Sequence, residues 1–213
     1  MIPCSSTIRD CSIAVLGTIV AAVVPTGASA GAQPTQAALT AENSRSIAAG
    51  APTLAPFAYL KFCQRAPQDC AGDGRAAWVE LTPERLSELR AVNEVVNRRI
   101  APSAGISSEE AWSLTARRGN CNTFALQKRH DLLARGWPVG SLLLAVVTTP
   151  AGTGHLVLVI RSARGDVVLD NLRAEIRDWT RTGYRWHKIQ APGQPDNWVE
   201  VSPLIRGVAN LAD

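Results

Sequence analysis

Histidine is scarce in this chain, with three among 213 residues, at positions 130, 155 and 187. Aromatic residues are also few, at 5%. The basic pairs Arg98-Arg99, Arg117-Arg118 and Lys128-Arg129 are scattered, no aromatics interleave them, and the net charge is only +4. A concentrated basic stripe is therefore missing, which argues against nucleic acid as a partner. No internal repeat is present. Past residue 24 no apolar run is long enough to cross a bilayer, so stable membrane insertion is not expected once the N-terminus is removed. The apolar and charged fractions, 46% and 19%, are those of a soluble globular protein. The length suits one domain with a sizeable core and some extra segment.

The N-terminus points to export. Arg9 is its clearly basic residue, Ile13 to Val24 is apolar but short for a membrane span, and Ala28-Ser29-Ala30 offers small residues to a signal peptidase. Residues 1–30 are expected to be a signal peptide cleaved after Ala30. Because Asp10 weakens the basic region, an uncleaved anchor is the alternative. Cleavage removes one Arg and one Asp, so the net charge stays at +4. The mature protein is expected in the periplasm of a cell with two membranes. Gly31 to Pro52 is rich in Ala, Gln, Thr and Gly without periodicity, and residues 31–55 are read as a flexible leader to a domain spanning 56–213.

Cysteine usage agrees with that compartment. Of five cysteines, Cys4 and Cys11 leave with the signal segment. Cys63 and Cys70 bracket a short turn-prone loop that a disulfide would close, two unpaired thiols being the other reading. Their spacing is too long for a zinc knuckle and no histidine lies nearby. Pairing of 63 with 70 leaves Cys121 as a single free thiol in an oxidising place.

Thr82-Pro83-Glu84 is a strong helix start, and Leu86, Leu89, Val92, Val96 and Ile100 recur at helical spacing, which predicts an amphipathic helix over 83–99. Ser107-Ser108-Glu109-Glu110 is a second N-cap before a short helical stretch. A third helix opens at Asn120 or Cys121 and runs to Arg135, stopped by Gly136-Trp137-Pro138. The pattern then changes to strands: Ser141 to Thr149, Leu156 to Ile160, Val167 to Leu169, and a hairpin from Tyr184–Ile189 and Asn197–Val201 turned at Pro192-Gly193. Phe57 to Phe62 is a short apolar piece, and Ala76 to Leu81 is a further candidate strand. Helices followed by a mostly antiparallel sheet give an α+β domain.

The chemistry gathers between Arg117 and Leu172. Cys121 sits in the first turn of a helix, where unpaired N–H groups and the positive dipole end favour a thiolate. A nucleophilic thiolate also needs a histidine within hydrogen-bond reach and a third group to orient it. His130 lies nine residues along the same helix, about 13 Å away on the opposite side, and cannot serve. His187 lies in a late strand with no acid at matching spacing. His155 opens a strand after Gly152-Thr153-Gly154. Asp170, fifteen residues on, falls at the same end of the resulting hairpin to within about two residues of register. Asp166 and Asp178 are the weaker candidates to orient it. A lone cysteine, histidine or aspartate has a bland structural use, but order, spacing and compartment agree here on a catalytic set of Cys121, His155 and Asp170.

The segments Gly119-Asn120-Cys121-Asn122-Thr123-Phe124-Ala125, Gly136-Trp137-Pro138, Gly154-His155-Leu156-Val157-Leu158 and Val168-Leu169-Asp170-Asn171-Leu172 resemble the bacterial transglutaminase-like cysteine proteinases, a group that includes the LapG-type periplasmic proteases. The likeness extends back through Phe62-Cys63, Cys70, Leu81-Thr82-Pro83-Glu84-Arg85 and Val92-Asn93. Forward, it takes in Trp179, Gly183-Tyr184-Arg185 and Trp198-Val199. It implies a papain-like or transglutaminase-like core, with the nucleophile helix packed on an antiparallel sheet. It also implies Cys121 as nucleophile, His155 as general base and acid, and Asp170 as its orienter. The implied partners are a protein substrate such as a surface adhesin, and an inner-membrane receptor that senses a cyclic dinucleotide, a link to biofilm control. The family pattern at the nucleophile is Gly-Asp-Cys-Glu-Asp, and its acids contribute to a calcium site. Here Asn120 and Asn122 stand in those positions, so no cofactor is expected, and any calcium site at Asn120 and Asn122 should be weak. The alternatives are acyl transfer or amidase activity on the same triad, and an inactive exported binding module.

Overall fold

The strand-rich half of the chain reads as nearly continuous apolar sequence because its sheet is buried on both faces. The computed structural model describes residues 45–103, 105–114 and 116–202. The expected signal segment, and the leader up to residue 44, lie outside the described residues. In chain order the elements are β1 (Ala49–Thr53), α1 (Phe57–Arg65), α2 (Pro67–Cys70), α3 (Pro83–Arg99), β2 (Ala101–Pro102), α4 (Ser108–Ala111), β3 (Arg118–Gly119) and α5 (Cys121–Leu133). These are followed by β4 (Leu142–Thr148), β5 (Gly154–Ile160), β6 (Val167–Leu169), β7 (Arg177–Asp178), β8 (Arg185–Ala191) and β9 (Gln194–Val201). Seven strands form one antiparallel sheet in the order β1-β9-β8-β4-β5-β6-β7, and β2 and β3 pair in parallel separately. This is a mixed α+β architecture.

Alternation along the strands divides the core in two. Leu142, Leu144, Leu156, Leu158, Ile160 and Leu169 meet the helical layer, where Leu89, Val92, Val96, Phe124, Leu126 and Leu132 pack. Leu143, Ala145, Val147, Val157, Val159 and Val168 point the other way, under Ile47, Trp179 and Ile189. Burial of α5 on nearly every side makes it the axis of the domain; Gln127, Lys128 and Arg129 are buried along with its apolar residues. Its expected extent to Arg135 shortens to Leu133.

The helix over 83–99 forms at the expected bounds. Thr82 accepts from the Arg85 N–H, Pro83 takes the first helical position, and Arg98 and Arg99 sit at the C-terminal end of the dipole. Ser107 and Glu110 form a reciprocal capping box. Three expectations need correction. The Cys63–Cys70 stretch is not a loop but two helices, α1 and α2, joined by the disulfide between Cys63 and Cys70. Ala76 to Leu81 supplies only an isolated bridge, Val79 with Ser162. The segment 45–55 is not a free leader. There β1 pairs with β9, Ile47 is buried, and the Ile47 N–H donates to Asp166 at 2.8 Å while Arg161 donates to the Ile47 carbonyl at 2.9 Å. The sheet edge captures it by backbone pairing, to which hydropathy patterning is blind.

Candidate active site

The approach to α5 is sterically specified. A Cβ on Gly119 would stand 2.3 Å from Thr123 Oγ1, so only glycine lets the chain pass this close to the helix it enters. Thr123 is itself tied by its hydroxyl to the Ala111 carbonyl at 2.9 Å. Asn120 caps the helix, its Oδ1 accepting from the Asn122 N–H at 3.0 Å, and Cys121 takes the first helical position.

His155 is the second residue of β5, opposite Val147 of β4, and is buried. Leu158 pairs with Leu169 and Val159 with Val168 across β5 and β6. Asp170, just beyond β6, therefore stands two residues off His155 in register. That offset is bridged by the side chains, with His155 Nε2 2.8 Å from Asp170 Oδ1. Nδ1 is then the ring nitrogen left to face the Cys121 thiol, on whose ionisation His155 acts. The structure thus brings Cys121, His155 and Asp170 into one chain of contacts.

Electrostatics make that chain an ion-pair system. Burial pushes the Cys121 thiol up, but the hydrogen bond and charge of His155, with the Leu156 and Asn122 N–H groups, outweigh it and bring the thiol below its ordinary value. Burial pulls His155 down, but Asp170 and then Cys121 lift it to about 9. Burial pushes Asp170 up, yet His155, the Tyr184 hydroxyl and the Leu172 N–H hold its carboxyl below the usual range. Each group favours the charge of its neighbour.

Three contributors to this arrangement were not legible as site residues. Tyr184 donates its hydroxyl to Asp170 Oδ2, and its ring lies edge-on to His155 with centroids 5.8 Å apart. Asn97 donates to the Asp170 carbonyl at 2.9 Å, and Asn93, one turn earlier on α3, donates to the Ala174 carbonyl at 2.9 Å. The other candidates are engaged elsewhere. His130 Nδ1 lies 2.7 Å from Asp69 Oδ1, and His187 Nε2 lies 2.7 Å from Thr148 Oγ1. Asp166 holds Ile47, and Asp178 caps the Thr180 N–H at 2.8 Å.

Cys121 and His155 line an open cleft of about 720 Å³, mostly apolar, bounded also by Gly119, Thr153, Asn171 and Arg173. Cys63 and Cys70 are bonded to each other, and Cys121 is the free cysteine among the described residues. Asn120 and Asn122 are poorly suited to a divalent cation. The Asn120 amide oxygen already accepts from a backbone N–H, and that of Asn122 faces Cys121 Sγ at 3.8 Å. Neither carries charge.

A partly exposed free thiol at a helix start, coupled to a buried histidine and carboxylate on a cleft, is the arrangement of a cysteine peptidase. Residues 49–204 match the bacterial transglutaminase-like cysteine proteinases, and the chain belongs to that family. Among solved structures it is similar to LapG of Legionella pneumophila. The calcium-bound form is 15% identical at a TM-score of 0.47, covering 71% of this chain and 84% of that one. The EGTA-treated form is 15% identical at a TM-score of 0.46, covering 68% and 77%. No curated protein matches the chain.

Proposed function

We propose that the protein is an exported, periplasmic cysteine peptidase that cleaves a protein substrate through Cys121, His155 and Asp170. The observation that carries this reading is the coupling of the free thiol through His155 to Asp170, with Cys121 and His155 both lining the cleft. The Cys121 thiolate attacks the scissile carbonyl carbon. The oxyanion accepts the Cys121 backbone N–H, which has no intrahelical partner in the first turn. The His155 imidazolium gives its proton to the leaving amine, leaving a thioester on Cys121. Neutral His155 then takes a proton from water, whose oxygen attacks the thioester and expels the Cys121 thiolate beside the restored imidazolium. Asp170 keeps the ring oriented and stabilises its charged form.

The family likeness extends the proposal to a surface adhesin as substrate and an inner-membrane receptor as regulator. Thiol mapping tests the core of it: iodoacetamide near pH 6 should label Cys121 fast, and His155→Ala should slow that labelling. Slow labelling indifferent to His155 would instead favour a binding module. Incorporation of an added primary amine into product would move the assignment to acyl transfer. Calcium is not required in this reading, because the two amides beside Cys121 offer no carboxylate. Activity abolished by a chelator and restored by calcium would overturn that part.

A further inference from the structure

Lys128 is an anomaly beneath the site. Its side chain is 1% exposed, and its ammonium nitrogen has no hydrogen-bond partner among the described residues. A cation in that condition is expensive unless a charge compensates it. Seven residues separate it from Cys121 on α5. At about 100° and 1.5 Å per residue, this places it on the same side of the helix and about 10 Å further along. Asp170 is the charged group that acts on it. From α3, two neutral amides meet the Asp170 loop. Asn97 donates to the Asp170 carbonyl and Asn93 to the Ala174 carbonyl, and the Oδ1 atoms of both have no partner. His155 faces the loop from β5. The next residue on α5, Arg129, is committed elsewhere, to the Leu142 and Asp69 carbonyls.

Counting charge explains what such a lysine does. In the thiolate–imidazolium form, Cys121 carries one negative charge, His155 one positive and Asp170 one negative, so the buried cluster sums to minus one. An ammonium on Lys128 brings the total to zero. We propose that Lys128 is a positioning residue for this site, the fourth charge that neutralises the Cys121–His155–Asp170 cluster and lets the thiolate form at low pH. The proposal rests on the catalytic reading of that triad. Burial pulls Lys128 down to about 7 against the opposing pull of Asp170. It is thus charged across the acid range where the thiolate forms, and mostly neutral by the time His155 titrates near 9. Lys128 therefore acts on one limb of the pH profile and not on the other.

The test is the rate of Cys121 alkylation by iodoacetamide between pH 3 and 10, in the purified protein and in Lys128→Met and Lys128→Gln. A charge about 10 Å away in a partly buried setting moves the acid midpoint upward by roughly half to one pH unit, or about three- to tenfold slower labelling on that limb. Above pH 8 the rates should coincide. An unmoved acid midpoint in folded Lys128→Met and Lys128→Gln would leave Lys128 as filler and overturn the proposal. An unmodified protein whose Cys121 labels with a single midpoint at or above that of an ordinary thiol would instead sink the triad itself. Should neither variant fold, the chain has only Lys61, Lys128 and Lys188, and their side-chain methylene carbons can be followed by NMR. Because coupling is reciprocal, Asp170→Asn should lower the Lys128 midpoint by at least half a unit. A midpoint that stays put overturns the proposal.

Discussion

Replacing Asp170 by asparagine keeps the shape of the side chain and deletes its charge, which isolates what that carboxylate does for His155. Without partners a histidine titrates near 6.5; burial alone would push His155 lower, yet it is lifted to about 9, with Asp170 the largest upward cause. At about 1.4 kcal/mol per pH unit, the gap corresponds to a stabilisation of the imidazolium of about 3 kcal/mol. In Asp170→Asn most of this should vanish, and His155 should titrate near 6.5 or below. Because the folded value lies above the unfolded one, the contribution to stability is fully present below pH 6.5 and is lost as pH rises through 9. The variant should therefore lose about 3 kcal/mol of stability at pH 5.5 and little at pH 9.5. The assay is an NMR titration of ring protons, tractable because the chain has three histidines, with His155→Ala to assign the signal. A His155 midpoint that stays near 9 in the variant would refute the reasoning.

Tyr184→Phe keeps the ring against His155 but strips one donor from a buried carboxylate. It should cost about 1–2 kcal/mol, lower the melting temperature by a few degrees, and raise the His155 midpoint, because the freed carboxylate is more basic. Removing the disulfide by Cys63→Ala with Cys70→Ala opens a short loop whose closure is worth roughly 2–3 kcal/mol. The expected loss is about 5–10 °C in a thermal melt, with the Cys121 alkylation rate unchanged near neutral pH. A change in that rate would mean that α1 and α2 position the site rather than simply stabilise the fold.

What the sequence revealed depended on how local the signal was. The 83–99 helix was legible because its cap, its proline and its apolar spacing all lie within the element. Cys121, His155 and Asp170 were legible together because one helix start and one hairpin carry all three, and pleat periodicity converts spacing into position. Tyr184 was not legible as a site residue, since it reaches Asp170 from beyond β7 across a stretch with no periodic pattern. Lys128 defeated the pattern for a different reason. A lysine on an amphipathic helix is read as solvated, and only the packing of α5 on nearly every side places it inside. The strand β1 was missed because edge pairing is made by backbone groups, which every sequence has.

The pairing of the first strand with the last also bears on how the chain is made. Ala49 lies opposite Val201, so β1 has no partner until β9, the last of the described strands, has been made. Loop closure across nearly the whole domain has to be completed before this edge exists, and such long-range pairing is slow. The β4–β5 and β5–β6 hairpins can close as they are made, but the β1 edge of the sheet stays open until β9 has emerged. Residues 45–53 should therefore be the last part of the fold to gain protection from exchange, a step separate from assembly of the strands that carry His155.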